Sequence, residues 1–369
     1  MDLGLDLTGR RVLVVGSQRG ARRVIARYLA GGATVYLSDP AYLSDPGTRQ
    51  SAHDANIHNV DFPHSPAGWR DLVSAVDLVV AVDVPAEADR MLTAACGERR
   101  AWLTREAAAA TSALGQVTLV GGGPGDEGLF TVAGMAALRD ADVVFYDRLA
   151  PHDRLREWAP GAKLVDVGKS PGHHAVPQGE IERMLVAAAQ DGNTVVRLKG
   201  GDPFIFGRGG EEVIACRAAG IQVTVISGVT SAISVPATAG IPLTHREVSR
   251  TFTVVSGHAP LSDDELAHLV GLDGTIVVLM GIATLPHLAA GLARHGMRSD
   301  MPVAIIESGF SSKQRTTVSS VGGIVSVASA LGARSPAVIV VGEVVRLSQH
   351  DDAAAVELLQ NAVSLATQR

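Results

Sequence analysis

The sequence predicts an α/β protein built on more than one sheet. Short apolar runs ending in glycine or aspartate alternate with longer amphipathic stretches along most of the chain. Its 369 residues are enough for two or three hydrophobic cores. The 40 glycines gather at the ends of apolar runs with no collagen-like period, which predicts many strand-to-loop turns.

Residues 11–16 (RVLVVG) read as a buried strand, 21–29 (ARRVIARYL) as an amphipathic helix, and 33–37 as a second strand. Residues 77–83 (DLVVAVD) and the helical stretch 87–100 extend this βαβ start. Between them, 39–70 is rich in Pro, Ser, Asp and His without a clear period, and reads as loops with short elements. A new strand opens at Val117 after an alanine-rich stretch. Further strands are expected at 143–146, 163–167, 194–198, 223–226, 253–255, 275–280, 303–306 and 337–341. Helices are expected at 131–141, 177–190, 210–219 and 285–295. The division expected is 1–114 for a front domain, 115–243 and 244–347 for two lobes, and 348–369 for a tail.

Composition excludes several classes. Apolar residues are 46% and charged residues 19%, as in a folded globular chain, and aromatics are only 4%, so the cores must be aliphatic. The net charge is −6 and no long basic block stands out, which leaves a nucleic-acid partner without electrostatic support. Cys96 and Cys216 form no disulfide framework, the N-terminus lacks a signal-peptide pattern, and no apolar run is long enough to span a bilayer. A cytoplasmic protein with no membrane partner is therefore expected. No metal is expected either, because HExxH, CxxC and compact His/Asp sets are lacking and the neighbours His173 and His174 share no ligating spacing.

The glycine-rich turns carry the chemistry. Gly16-Ser17-Gln18-Arg19-Gly20 has Gln18 where a Rossmann turn needs glycine for pyrophosphate to approach, although Asp39 stands where a ribose-binding acid belongs. In 121–126 (GGGPGD), Pro124 removes a donor and suits a rigid wall better than a phosphate nest. The most informative segment is 196–212 (VRLKGGDPFIFGRGGEE). There a strand ends in Gly200-Gly201, Asp202 is placed to accept hydrogen bonds from a ligand or from the loop's own amides, and 204–206 offer an apolar surface.

At this segment the sequence resembles the uroporphyrinogen-III C-methyltransferase family, including the methylase module of siroheme synthase. The resemblance is carried in order by VTLVGGGPGDEGLFT, ADVVFYDRL, VGKSPGHHAVPQGEI, VVRLKGGDPFIFGRGGEE, SGVTSAISVPATAGIPLTHR, VSGH, VVLMG, PVAIIESG and SPAVIVVGEVV, over about 230 residues. It implies the two-domain tetrapyrrole methylase fold, preceded here by a small incomplete Rossmann-like domain. It implies S-adenosylmethionine held by Pro124, Gly200, Gly201, Asp202, Ile205, Thr230, Ser231, Met280 and Gly309, with catalytic or substrate-orienting roles for Asp147 and Lys169. Arg148, Arg197, Arg208 and Arg246 are candidates to hold the substrate's carboxylates, or else to form internal ion pairs. The implied reaction is methylation of uroporphyrinogen III at C2 and C7 to precorrin-2, on the way to siroheme or cobalamin, by a homodimer.

The front segment resembles the dehydrogenase and chelatase domain of siroheme synthases in LTGRRVLVVG and AVDVPAEADRML. Its GxG turn is broken at Gln18, and WLTREAAAATS replaces the family's acid-bearing loop. Three alternatives stay open: a bifunctional siroheme synthase retaining NAD-dependent precorrin-2 oxidation, a non-catalytic tetrapyrrole-binding protein, and a methylase acting on a later corrin intermediate.

Overall fold

A computed structural model describes residues 6–40, 56–106, 114–159, 162–168 and 176–348. Among these residues the chain forms three five-stranded sheets.

The first sheet contains β1 (Arg11–Val15), β2 (Thr34–Ser38), β3 (Ile57–Val60), β4 (Leu78–Val82) and β5 (Trp102–Glu106), in the order β3-β2-β1-β4-β5. All its pairings are parallel. Helix α1 (Gln18–Ala30) covers one face through Ala21, Val24, Ile25 and Tyr28. Helices α2 (Pro66–Ser74) and α3 (Ala86–Arg99) cover the other, where Trp69, Val73 and Leu92 meet Leu13, Val15 and Val79. This is the Rossmann strand order over five strands. The segment read as loops supplies β3 and α2. Ser65 caps α2 by accepting from Gly68 N at 3.2 Å, and Pro66 follows it at the first turn.

The second sheet joins β6 (Gln116–Gly121), β7 (Val143–Tyr146), β8 (Lys163–Asp166), β9 (Thr194–Lys199) and β10 (Gln222–Ile226), in the order β10-β6-β9-β7-β8. It too is wholly parallel. Alternation along the strands sends Val117 and Leu119 toward α6 (Gln178–Gln190) and α7 (Gly209–Ala218). Val120 and Leu198 face the opposite core with α4 (Val132–Arg139) and α5 (Leu155–Trp158).

The third sheet is mixed, with β11 (Phe252–Ser256), β12 (Thr275–Leu279), β13 (Pro302–Glu307), β14 (Arg315–Ser320) and β15 (Ala337–Val341) in the order β11-β12-β15-β13-β14. Strand β15 runs antiparallel to both β12 and β13, so those two run the same way. Helices α9 (Asp263–Gly271), α10 (Leu285–Arg294) and α11 (Ile324–Ala330) cover one face. The other face is covered by α8 (Ser231–Thr238), which follows the last strand of the second sheet in the chain. Ala232 and Val235 of α8 pack with Val277, Ala304 and Val340, so this helix couples the two sheets. The expected tail falls outside the described residues beyond Ser348.

The front sheet touches the second one at its amino-terminal edge. Arg23 on α1 donates to Asp142 Oδ1 at 3.2 Å and to Thr194 Oγ1 at 2.6 Å, while Asp142 Oδ2 accepts from Thr194 N at 2.7 Å. The Asp142 side chain is only 5% exposed, so this pair is shielded from solvent. Arg23→Met is expected to destabilise the protein by about 1–2 kcal/mol. A urea-unfolding midpoint identical to that of the parent would show that the contact is not a latch.

Candidate active site

Because the second sheet is parallel, β6, β7, β9 and β10 all deliver their following loops to one edge. Those loops meet backbone to backbone. Gly123 and Gly201 exchange hydrogen bonds of 2.7 and 3.2 Å. A Cβ on Gly121 would lie 2.4 Å from the Gly228 nitrogen, and one on Gly228 would lie 2.3 Å from the Gly201 oxygen. No side chain fits at either position, which is the physical demand behind glycine there.

Asp202 locks this junction. Its Oδ1 accepts from Phe204 N at 2.8 Å and its Oδ2 from Gly228 N at 3.1 Å, so it binds the loop's own amides. Each oxygen keeps a lone pair free for a further donor. Beyond it Phe204, Ile205 and Phe206 stand exposed, an apolar surface without internal cover. Pro124 is half-buried on the neighbouring loop. Thr230 caps α8, its Oγ1 accepting from Ala232 N at 3.3 Å, and Ser231 N lies 3.9 Å from the point where a Gly201 Cβ would stand.

The third sheet adds its own loops. Met280 follows β12 and Gly309 follows β13, at the same edge of that sheet. A Cβ on Gly309 would lie 2.8 Å from both γ-carbons of Val235, so this turn is seated on α8. Phe206, Arg208, Met280, Ser308 and Phe310 all take positive φ in these loops. Such conformations cost side-chain-bearing residues free energy and persist where surrounding structure imposes them.

Asp147 opens the loop after β7. Its Oδ1 accepts from Leu149 N and Ala150 N, both at 3.1 Å, and its Oδ2 faces Arg197 Nη2 at 3.3 Å. Its side chain stays 29% exposed, so the carboxylate has an open side. This loop crosses the glycine turns closely: a Cβ on Gly200 would lie 2.7 Å from the Leu149 oxygen, and one on Gly122 would lie 2.5 Å from Pro151 Cδ. Lys169, with His173 and His174, lies outside the described residues.

The four arginines separate. Arg148 is exposed beside Asp147, and Arg208 is exposed at the start of α7, paired with Glu211 at 2.7 and 2.8 Å. Arg197 is corrected as a substrate contact. It is 3% exposed, and its donors are taken by Glu212 Oε1 (3.1 Å), the Leu198 carbonyl (2.9 Å) and Asp147. The reason is that β9 is covered on both faces, so a side chain in its middle cannot reach solvent.

Arg246 is exposed as well. With Thr244, His245, Ser249 and Arg250 it lines an open hollow of about 620 Å³. Ser249 Oγ meets Thr275 N, at the start of β12, at 3.2 Å, whereas Met280 follows the end of that strand. A strand of this length separates them by roughly 16 Å. The bridge between His245 and Ser249 turns the chain back before β11 begins.

Sequence reasoning had not singled out Lys199 or Glu212. Lys199 Nζ sits 3.1 Å from each oxygen of a Glu212 carboxylate with no exposure, and Gln178 Nε2 adds a bond of 3.3 Å. Burial, then the Arg197 charge, push the Lys199 pKa down, against the pull of Glu212 and Asp147. The signal was present in the spacing: Gly209, Glu212, Val213 and Cys216 form one helical stripe, and a charge on a buried stripe requires a partner. Burial pushes the Cys216 thiol up to about 11, so it is no nucleophile at neutral pH. Among the described residues no group of His, Cys, Asp or Glu could hold a metal.

The junction can be tested through its glycines. Gly228→Ala must displace the Gly201 backbone and is expected to cost about 2–3 kcal/mol in urea unfolding. Gly210→Ala, where a Cβ meets nothing within 4 Å, serves as the control and is expected to be neutral or mildly stabilising. Equal stability of the two variants would remove the steric argument.

The family profile described as Tetrapyrrole (Corrin/Porphyrin) Methylases matches residues 116–324, and an NAD(P)-binding profile matches residues 3–123. The uroporphyrinogen-III C-methyltransferase of Methanocaldococcus jannaschii is 48% identical over 238 residues, 63% of this chain and 98% of that protein. The siroheme synthase of Tolumonas auensis is 41% identical over 249 residues, 67% of this chain but only 53% of that longer protein. The uroporphyrin-III C-methyltransferase of Thermus thermophilus, solved with S-adenyl homocysteine, superposes with a TM-score of 0.53 at 38% identity, over 63% of this chain and all of that one. With its parallel second sheet, mixed third sheet and glycine-lined loop edge, the chain belongs to the tetrapyrrole (corrin/porphyrin) methylase family.

Proposed function

We propose that the protein is an S-adenosylmethionine-dependent uroporphyrinogen-III C-methyltransferase that methylates C2 and C7 to give precorrin-2, for siroheme or cobalamin formation. The observation that supports it is the gathering of Asp147, the 200–210 loop and Thr230 around one glycine junction. That junction exposes backbone and apolar surface of the kind an adenosyl group needs. Pro124, Gly200, Gly201, Asp202, Ile205, Thr230 and Ser231 would hold S-adenosylmethionine from the second sheet, and Met280 and Gly309 from the third. When bound, this group supplies an electrophilic methyl on a sulfonium, which needs no metal activation.

The protein's own residues orient the acceptor and manage its proton. The open side of Asp147 is placed to orient a pyrrole N–H or to accept the proton lost from the methylated macrocycle, with its other contacts fixed by Leu149, Ala150 and Arg197. Lys169 is assigned to balance charge in that step. Exposed Arg148, Arg208 and Arg246 are the arginines available to pair with substrate carboxylates.

For the chain as a whole we adopt the division 1–114, 115–243, 244–347 and 348–369, in keeping with sheets that span 11–106, 116–226 and 252–341. A homodimer and a cytoplasmic location are consistent with the resemblance. No helix among the described residues is long and apolar enough to cross a membrane.

Purified full-length protein with S-adenosylmethionine and freshly prepared uroporphyrinogen III should form a dimethylated product. Asp147→Asn is expected to lower kcat about 100-fold while retaining S-adenosylhomocysteine binding. Unchanged methylation by folded Asp147→Asn and Lys169→Met variants would overturn the role assignments.

A second reading, dinucleotide binding by the front sheet, is favoured by the NAD(P)-binding match and the Rossmann strand order. Against it, Ser17 Oγ already accepts from Gly20 N at 3.1 Å, satisfying an amide that a bound phosphate would use. Titration with NAD is expected to show no saturable binding, and NAD-dependent conversion of precorrin-2 would establish the bifunctional enzyme instead.

A further inference from the structure

Arg197 and Lys199 stand two residues apart on β9 and therefore share one face of a strand buried along its length. Helix α7 covers that face and presents Glu212 from its apolar stripe. Both cations reach the one carboxylate: Lys199 Nζ bonds both oxygens at 3.1 Å, and Arg197 Nε bonds Oε1 at 3.1 Å. Gln178 from α6 completes the set at 3.3 Å. Three donor groups thus make four hydrogen bonds to its two oxygens, which hold the carboxylate in one orientation.

This restraint is passed on through a rigid group. A guanidinium is planar, so fixing Nε on Glu212 and Nη1 on the Leu198 carbonyl fixes the direction of Nη2. That third nitrogen meets Asp147 Oδ2 at 3.3 Å, and Asp147 is the member of the chain that opens to solvent. The opposite end is tied to the glycine-rich loop. Helix α7 begins where that loop ends, Gly209 N bonds the Pro203 carbonyl at 3.0 Å, and a Cβ on Gly207 would lie 3.2 Å from Lys199 Cε. Asp147 and Glu212 balance Arg197 and Lys199, so the group is neutral as a whole. Removing one charge would leave an opposite one buried without compensation.

We propose that Glu212 is a positioning residue for methyl transfer, its buried carboxylate holding the Arg197 guanidinium on Asp147 and so coupling the Asp147 loop to the 200–210 loop. The proposal rests on the assignment of Asp147 above.

The test is a double-mutant cycle between Glu212→Gln and Asp147→Asn in the full-length enzyme. Glu212→Gln is expected to lower kcat about 30-fold, while the KM for S-adenosylmethionine and the Kd for S-adenosylhomocysteine move less than about threefold. In the Asp147→Asn background the same change should cost less than about twofold, because its effect is exerted through the missing carboxylate. An equal fold-loss in both backgrounds, a wild-type kcat for Glu212→Gln, or a loss confined to cofactor affinity would each overturn the positioning role. Wild-type turnover in Asp147→Asn alone would instead remove the Asp147 reading, and the proposal with it. Should Glu212→Gln fail to fold, Arg197→Lys keeps a buried cation without the rigid fork. It should show the same non-additivity with Asp147→Asn, and additive losses there would be equally decisive.

Discussion

Where the loops after β6, β9 and β10 meet, the main chains of Gly121, Gly201 and Gly228 approach so closely that neither Gly121 nor Gly228 could carry a Cβ. That contact sets the position of nearly everything at the loop edge. It fixes the 200–210 loop against its neighbours, and Asp202 adds bonds to both sides of the junction. It also fixes where α8 starts, because Thr230 and Ser231 stand beside Gly201. Since the body of α8 packs into the core of the third sheet, the same junction determines how Gly309 is seated relative to Asp202. The placement of loops from two sheets thus depends on one patch of bare backbone.

Charge is handled differently in the two layers of the site. At the surface, Arg148 and Arg208 remain in water, where an arginine costs little. Beneath it, Arg197, Lys199 and Glu212 are enclosed, and enclosure makes every unpaired charge expensive. The inner group is therefore fixed by its mutual pairing, whereas the outer arginines stay solvated. Asp147 stands at the border, held from below by Arg197 and open above.

The alternation of apolar runs and amphipathic stretches was enough to place the central strands and the larger helices, because those are buried on a regular period. Edge elements were harder to read. Strands β3, β5 and β14 carry polar residues at half-exposed positions, as IHNV, WLTRE and RTTVSS show, so their pairing is decided by a neighbour and leaves little hydrophobic signal. Helix α8 escaped notice for a different reason: SAISVPAT is short and carries Pro236, which argues against a helix until its packing on the third sheet is known. At the site, the glycines and Asp202 were legible as a loop, but their mutual contact was not.

The sequence by itself determined the α/β class and the succession of glycine-rich turns. These follow from local period and from glycine's backbone freedom, both of which operate over a few neighbouring residues. Only the tertiary structure decided which charges are buried and which stay in solvent. Arg197 and Arg208 stand in one motif, yet β9 is covered on both faces and buries the first, while the head of α7 leaves the second in solvent. A residue's charge is written in the chain, whereas its access to a ligand depends on what the rest of the fold lays over it.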